Sequence, residues 1–304
     1  HQQILDDKHS LFASGIMQEN DTLKGINRQQ RMVLAQHHLD EHTNGRLFIR
    51  EDLSYQPAEG GMGQMMMVVE NRATGARTLV HPGSRTNLSK QALGDWAGNI
   101  GELSRGFFPV GTDNIIDHNL RSITRNEIGK KLDHVREKGL FDTEGRNFVE
   151  RSVGASKGFD TAVKLASAYR RQVGEAAFEH FTERSNAKAI QAYNPMSTPS
   201  SITEAHGLAR KGLGMQVIRN NQDVATMAHG LSAPLEGLSS AITGRVSNID
   251  IKTDVAPVRG DFIEQHLTFP ERIHHFRSRI HEYGTRRLLY EVEHSNLMKR
   301  AILN

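Results

Sequence analysis

The sequence predicts an α+β protein, predominantly α, with helices packed around two long helices at 160–193 and 268–302 beside a small antiparallel β-meander at 46–81. Three observations predict it. Leu165, Tyr169, Val173, Ala177 and Phe181 recur at four-residue spacing, and Ile273, Phe276, Ile280, Tyr283, Tyr290 and Leu297 lay a second apolar stripe, both of helical period. Thr268 and Glu271 have the spacing of a capping box, with Pro270 just inside the helix start, where its missing N–H costs nothing. Between 46 and 81, short apolar runs are separated by glycine-rich turns, the mark of strands joined by hairpins.

Composition narrows the class. The chain has 304 residues, 37% hydrophobic and 24% charged, enough apolar content to bury a core. Its net charge is +3 and its pI about 9.1, and 26 of its 38 basic residues are arginine. Guanidinium forks match phosphate and carboxylate geometry, so the bias points to polyanions or acidic protein surfaces. The absence of cysteine excludes a disulfide framework, thiolate metal sites and a cysteine nucleophile. No stretch has the roughly twenty apolar residues of a membrane-spanning helix, and no signal peptide is visible. The expectation is a soluble chain of a reducing compartment, or one delivered into a host cell or virion.

In chain order, Ile4, Leu5, Leu11, Phe12, Ile16 and Met17 outline a short amphipathic helix. Asn20 or Asp21 is placed to cap a second helix, which Asn44-Gly45 stops. Leu47-Phe48-Ile49, Met65–Glu70 and Thr78-Leu79-Val80 are the three strands of the meander, expected to be the only substantial sheet. A helix around Trp96 follows, then a helical region from Asp113 to a stop at Gly139. Asn194-Pro195 ends the first long helix, and 194–200 is the best boundary between an N-terminal region (1–193) and a C-terminal region (201–304), unless the chain is one continuous domain. Ser201 and Glu204 open a helix running through Val217, and Ile249, Ile251 and Val255 alternate as one short strand.

Three local patterns carry chemistry. His38-Leu39-Asp40-Glu41-His42 has the ligand order of the inverted zinc-protease motif: His38 and His42 fall one helical turn apart and Glu41 could act as base. Gly61, Gly63 and Val68, followed by the Asn71–Ala76 turn, resemble the glycine-rich loop of the protein-kinase nucleotide-binding lobe, which implies a nucleotide held by backbone N–H groups. The third glycine is replaced by Met66, His81 stands near the place of the strand lysine, and no H-R-D or D-F-G follows. Arg170, Ser239-Ser240 and Glu291-Val292-Glu293 follow the order of residues in mono-ADP-ribosyltransferases, though the glutamates lie in a helical context. No Walker loop, dinucleotide fingerprint or Ser-His-Asp order on a nucleophile elbow is read from the sequence.

The functional expectation is therefore a non-catalytic binding or assembly protein. Arg272, Arg279 and Arg286 repeat every seven residues with His275 between the first two, giving one basic helical edge toward nucleic acid or an acidic protein. A virion or nucleoprotein component and a secreted bacterial effector both suit such a chain, and no cofactor is called for. The apolar N-terminal segment and the long terminal helix are devices that also serve homo-oligomers. The alternative is an enzyme: a nucleotide-binding or degenerate kinase-like effector using Gly61 and Gly63, or a zinc hydrolase or mono-ADP-ribosyltransferase.

Overall fold

The structure, a computed structural model, describes residues 2–18, 26–57, 64–83, 115–186, 188–193, 195, 199–220, 249–254, 290 and 294. Among these are the helices α1 (Gln2–Met17), α2 (Arg28–Thr43), α3 (Ile115–Glu137), α4 (Lys157–Val173), α5 (Glu175–Arg184) and α6 (Pro199–Arg210). The strands are β1 (Leu47–Ile49), β2 (Met67–Asn71), β3 (Arg77–His81), β4 (Arg151–Ala155), β5 (Ile190–Tyr193), β6 (Met215–Asn220) and β7 (Ile249–Asp254). All seven lie in one mixed sheet, side by side in chain order.

The connections decide which pairs are antiparallel. Between β2 and β3 the chain reverses in a tight turn: the Gly75 N–H donates to the Asn71 carbonyl at 2.8 Å, and Gly75 takes a φ of +71°. Such a short link forces antiparallel pairing, and β1 joins β2 in the same sense. From β3 to β7 every pair is parallel, so each join needs a crossover; α3 lies in the first, α4 and α5 in the second, α6 in the third. Because the strands advance in one direction, right-handed crossovers all pass over the same face. One core accordingly joins Leu79, Ala192 and Val217 of the sheet to Val135, Phe159, Val163, Phe178 and Leu208 of α3–α6. The other face carries Val69, Val80, Val153, Tyr193 and Ile218, which pack on Leu11, Ile16, Leu34 and Leu39 of α1 and α2. Helices on both faces bury β5 at all four residues.

The chain is thus a helix-rich mixture of α and β, but its sheet is much larger than a meander at 46–81. The helix expected over 160–193 is interrupted at Gly174, whose φ of +83° no ordinary helix holds; α5 restarts at Glu175, and 190–193 is strand. The helix expected to reach Val217 ends at Arg210, Gly212 turns at φ +97°, and Met215–Asn220 is β6. β5 and β6 then pair across residues 194–200. The second helix is capped at Asn27, not at Asn20 or Asp21, through a reciprocal capping box with Gln30. The helix around Trp96 and most of 268–302 lie outside the described residues; there, Tyr290 and His294 are helical with rings stacked at 6.1 Å.

Helix α1 is fixed to the sheet by a buried polar network. Both guanidinium nitrogens of Arg151, the first residue of β4, donate to the Asp7 carboxylate, and Nη1 also donates to Gln191 Oε1 at 3.0 Å. The Tyr193 hydroxyl donates to Asp7 Oδ2 at 3.2 Å, and Gln191 Nε2 donates to Gln216 Oε1 at 3.0 Å. Burial pushes the Asp7 carboxyl above the usual carboxylate range against the pull of Arg151, and burial followed by the Asp7 charge pushes the Tyr193 phenol up. Each partner satisfies another here, so five side chains on three strands and one helix have a single joint arrangement.

Candidate active site at a strand-to-helix serine

The carboxyl ends of β3, β4 and β5 lie side by side, and there the chain turns abruptly from strand to helix. Ser156 follows β4 directly and precedes α4 directly, with φ +51° and ψ −121°. That conformation is nearly reserved for glycine and costs a serine on the order of 1–3 kcal/mol. It persists because its surroundings hold it. The Ser156 N–H donates to the Tyr193 carbonyl at 3.2 Å, and the Ser156 carbonyl accepts from Phe159 N–H at 3.2 Å.

Two glycines make the turn sterically feasible. A Cβ on Gly154 would stand 2.5 Å from Phe159 N and 2.6 Å from the Gly158 carbonyl oxygen, and one on Gly158 would overlap the His81 carbonyl oxygen. Helix α4 therefore starts in direct backbone contact with β3 and β4. On the other side, a Cβ on Gly83 would be 3.3 Å from Ser156 Cβ and from the Ala155 carbonyl oxygen. The segment after β3 thus leans on the serine.

Residues 154–158 read Gly-Ala-Ser-Lys-Gly, a G-x-S-x-G between a strand and a helix, which is the geometry of a nucleophile elbow. This corrects the expectation that no such elbow exists. The pentapeptide stands in the sequence, but the sequence pattern assigns no element between Gly145 and Asp160, so its strand-to-helix context is missing there. Chemically, the turn lifts Ser156, which is half-buried, off the sheet edge. It also places the serine at the positive end of α4, where backbone N–H groups favour a developing negative charge.

Beneath this turn His81 is 1% exposed, and neither ring nitrogen has a hydrogen-bond partner among the described residues. Burial, aided by the Lys131 charge, pushes the imidazole down to about 3. It is therefore neutral at any pH near neutrality.

His38 and His42 sit elsewhere, in the seam between α1 and α2. His38 Nε2 lies 3.2 Å from His9 Nδ1, the His38 and His42 rings meet edge to face at 4.5 Å, and His9 stacks on His42 at 4.9 Å. Glu41 Oε2 is 3.8 Å from His42 Nε2 on the exposed side. Among the described residues, no group of three histidines, cysteines or carboxylates is arranged to hold a metal ion. Arg170, at the end of α4, is ion-paired with Glu175 across the Gly174 break. Gly61, Gly63, Ser239, Ser240, Arg272, His275, Arg279, Arg286, Glu291 and Glu293 lie outside the described residues. Among those described, no helix is long and apolar enough to cross a membrane. Compared with protein-family models, curated proteins and solved structures, the chain matches none.

Proposed function

We propose that the protein is a serine hydrolase acting by acyl transfer, with Ser156 as nucleophile. The observation that carries this reading is the backbone of Ser156, held at φ +51° and ψ −121° within G-x-S-x-G between β4 and α4. Strain of this kind persists where the surroundings over-determine it, and such positions cluster at active sites.

In the proposed reaction Ser156 Oγ attacks the carbonyl carbon of an ester, thioester or amide while a base takes its proton. The carbonyl π electrons move to oxygen, giving an oxyanion that N–H donors at the start of α4 and in the segment after β3 stabilise. Collapse expels the leaving group with that proton and leaves an acyl-serine, which water then hydrolyses. On this scaffold acid and base follow the nucleophile in the order serine, carboxylate, histidine. The first carboxylate after β6 is Asp223, and the histidines after β7 are His266, His274, His275, His281 and His294. Asp223 and one of those five histidines are the proposed partners.

The test is labelling with a fluorophosphonate, which captures an activated serine covalently, followed by mapping of the modified peptide. Label on Ser156, abolished in Ser156→Ala and in one histidine variant, is the expected result. No label on folded protein would end the proposal.

The basic edge of Arg272, Arg279, Arg286 and His275 supports a second proposal from its sequence spacing alone: contact with nucleic acid or an acidic protein. Its test is affinity that falls with salt and falls again when the three arginines become glutamine.

A further inference from the structure

Helix α1 reaches the reaction end of the sheet as well as its far end. Asp7 meets the first residue of β4, whereas Gln18, just past the end of α1, meets the segment beyond the last residue of β3. The Gln18 side chain belongs to a residue only 7% exposed, and its Nε2 donates to the Gly83 carbonyl at 3.3 Å. The Gln18 backbone N–H donates to the Ser14 carbonyl at 3.1 Å, so the grip has a fixed base. Gly83 is the residue that leans on Ser156 Cβ. Gln18 Oε1 is buried without a hydrogen-bond partner among the described residues. A buried carbonyl oxygen with no donor is a cost that leucine at the same place would not carry.

We propose that Gln18 is a positioning residue of the Ser156 site. By holding the Gly83 carbonyl it fixes the backbone of the residue that leans on the nucleophile, and so fixes where Gly83, its own N–H included, stands when the oxyanion forms. The inference rests on the acyl-transfer reading and adds to it a residue from outside the sheet and its crossovers. Angstrom-scale misplacement of such donors slows reaction by about tenfold to a hundredfold, even when no donor is lost.

The experiment measures the second-order rate of fluorophosphonate labelling for the full chain and for Gln18→Leu, Gln18→Glu and Leu34→Ala. Gln18→Leu removes the donor, while Gln18→Glu removes it only when the carboxyl is ionised, because a protonated carboxyl again donates to the Gly83 carbonyl. Leu34→Ala loosens the same helical layer without touching Gly83. Both Gln18 variants should label about tenfold to a hundredfold more slowly near pH 8. The ratio of Gln18→Glu to the parent chain should recover as pH falls toward about 5, through the carboxyl range, while that of Gln18→Leu stays flat. Parent-like rates in both variants, slowing no greater than in Leu34→Ala, or equal ratios at every pH would each overturn the positioning role while leaving Ser156 the nucleophile. A parent chain that takes no label overturns the acyl-transfer reading itself, and this inference with it.

Discussion

The carbonyl oxygen of His81 occupies the space that a side chain on Gly158 would need. Glycine at 158 is thus what lets the first turn of α4 rest on the end of β3, and Gly154 does the same one strand over. Gly158→Ala and Gly154→Ala should each cost at least about 3 kcal/mol, since the clash is with backbone that has nowhere to go. Gly207, inside α6 with nothing within 4 Å of where a methyl would stand, is the control. Gly207→Ala should be neutral or stabilising by up to about 1 kcal/mol. Urea midpoints of the three variants check this, and equal effects would refute the packing argument.

Ser156 is held in a conformation better suited to glycine, so removing its side chain should release strain. Ser156→Gly is expected to abolish fluorophosphonate labelling while gaining about 1 kcal/mol of stability, after the greater freedom of glycine in the unfolded chain offsets part of the release. Thermal melts alongside labelling separate the two effects. A serine kept only for structure would lose stability on this substitution, and that outcome would count against the elbow.

Which parts of this arrangement are legible in the chain follows from the physics of each element. Helix α2 buries one side through Leu34, Ala35, His38, Leu39 and Thr43, so its period shows in the sequence, although its start is ambiguous there because Asn20, Asp21 and Asn27 are all good caps. β4, β5 and β6 lie between two helical layers, and a strand covered on both faces has no polar alternation to betray it. Ile190-Gln-Ala-Tyr and Met215-Gln-Val-Ile therefore read as continuations of the neighbouring helices. Gly-Ala-Ser-Lys-Gly is legible as a motif, but only the dihedrals of Ser156 distinguish an elbow from five small residues in a loop. The grip of Gln18 on Gly83 joins residues 65 positions apart and leaves no local mark.

The Asp7–Arg151 pair is nearly enclosed, with side chains 1% and 10% exposed. Breaking it should cost more than deleting it. Asp7→Leu alone leaves a guanidinium without its counter-charge inside the fold and is expected to cost about 3–5 kcal/mol, whereas Asp7→Leu with Arg151→Met should recover most of that. Gln191 and Tyr193 share the network, so the double variant is not fully neutral. A double-mutant cycle by chemical denaturation measures the coupling, and simple additivity would mean that the pair is incidental.

His81 gives the stability a defined pH dependence. In the unfolded chain its imidazole has the ordinary value of 6.5, while burial in the fold, with Lys131 close by, pushes it down to about 3. Between those values the unfolded chain binds a proton that the folded chain refuses. The folded state is then favoured fully above pH 6.5 and loses stability progressively as the pH falls toward 3. From about pH 6.5 to about pH 5 the loss amounts to roughly 2 kcal/mol, at about 1.4 kcal/mol per pH unit. Carboxylates held low by partners, Asp52 by Arg50 and Glu175 by Arg170, lose their contribution only at lower pH, from the ordinary carboxylate value downward. Asp7, whose carboxyl burial raises, can titrate in the same window as the histidines, so it is the comparison with His81→Leu that isolates this one. That variant should be more stable than the parent at pH 5, because it also removes two ring nitrogens with no hydrogen-bond partner among the described residues, and its urea midpoint should vary less with pH. Parallel pH profiles for parent and variant would show that His81 is protonated as easily in the fold as out of it, and the burial argument would fail.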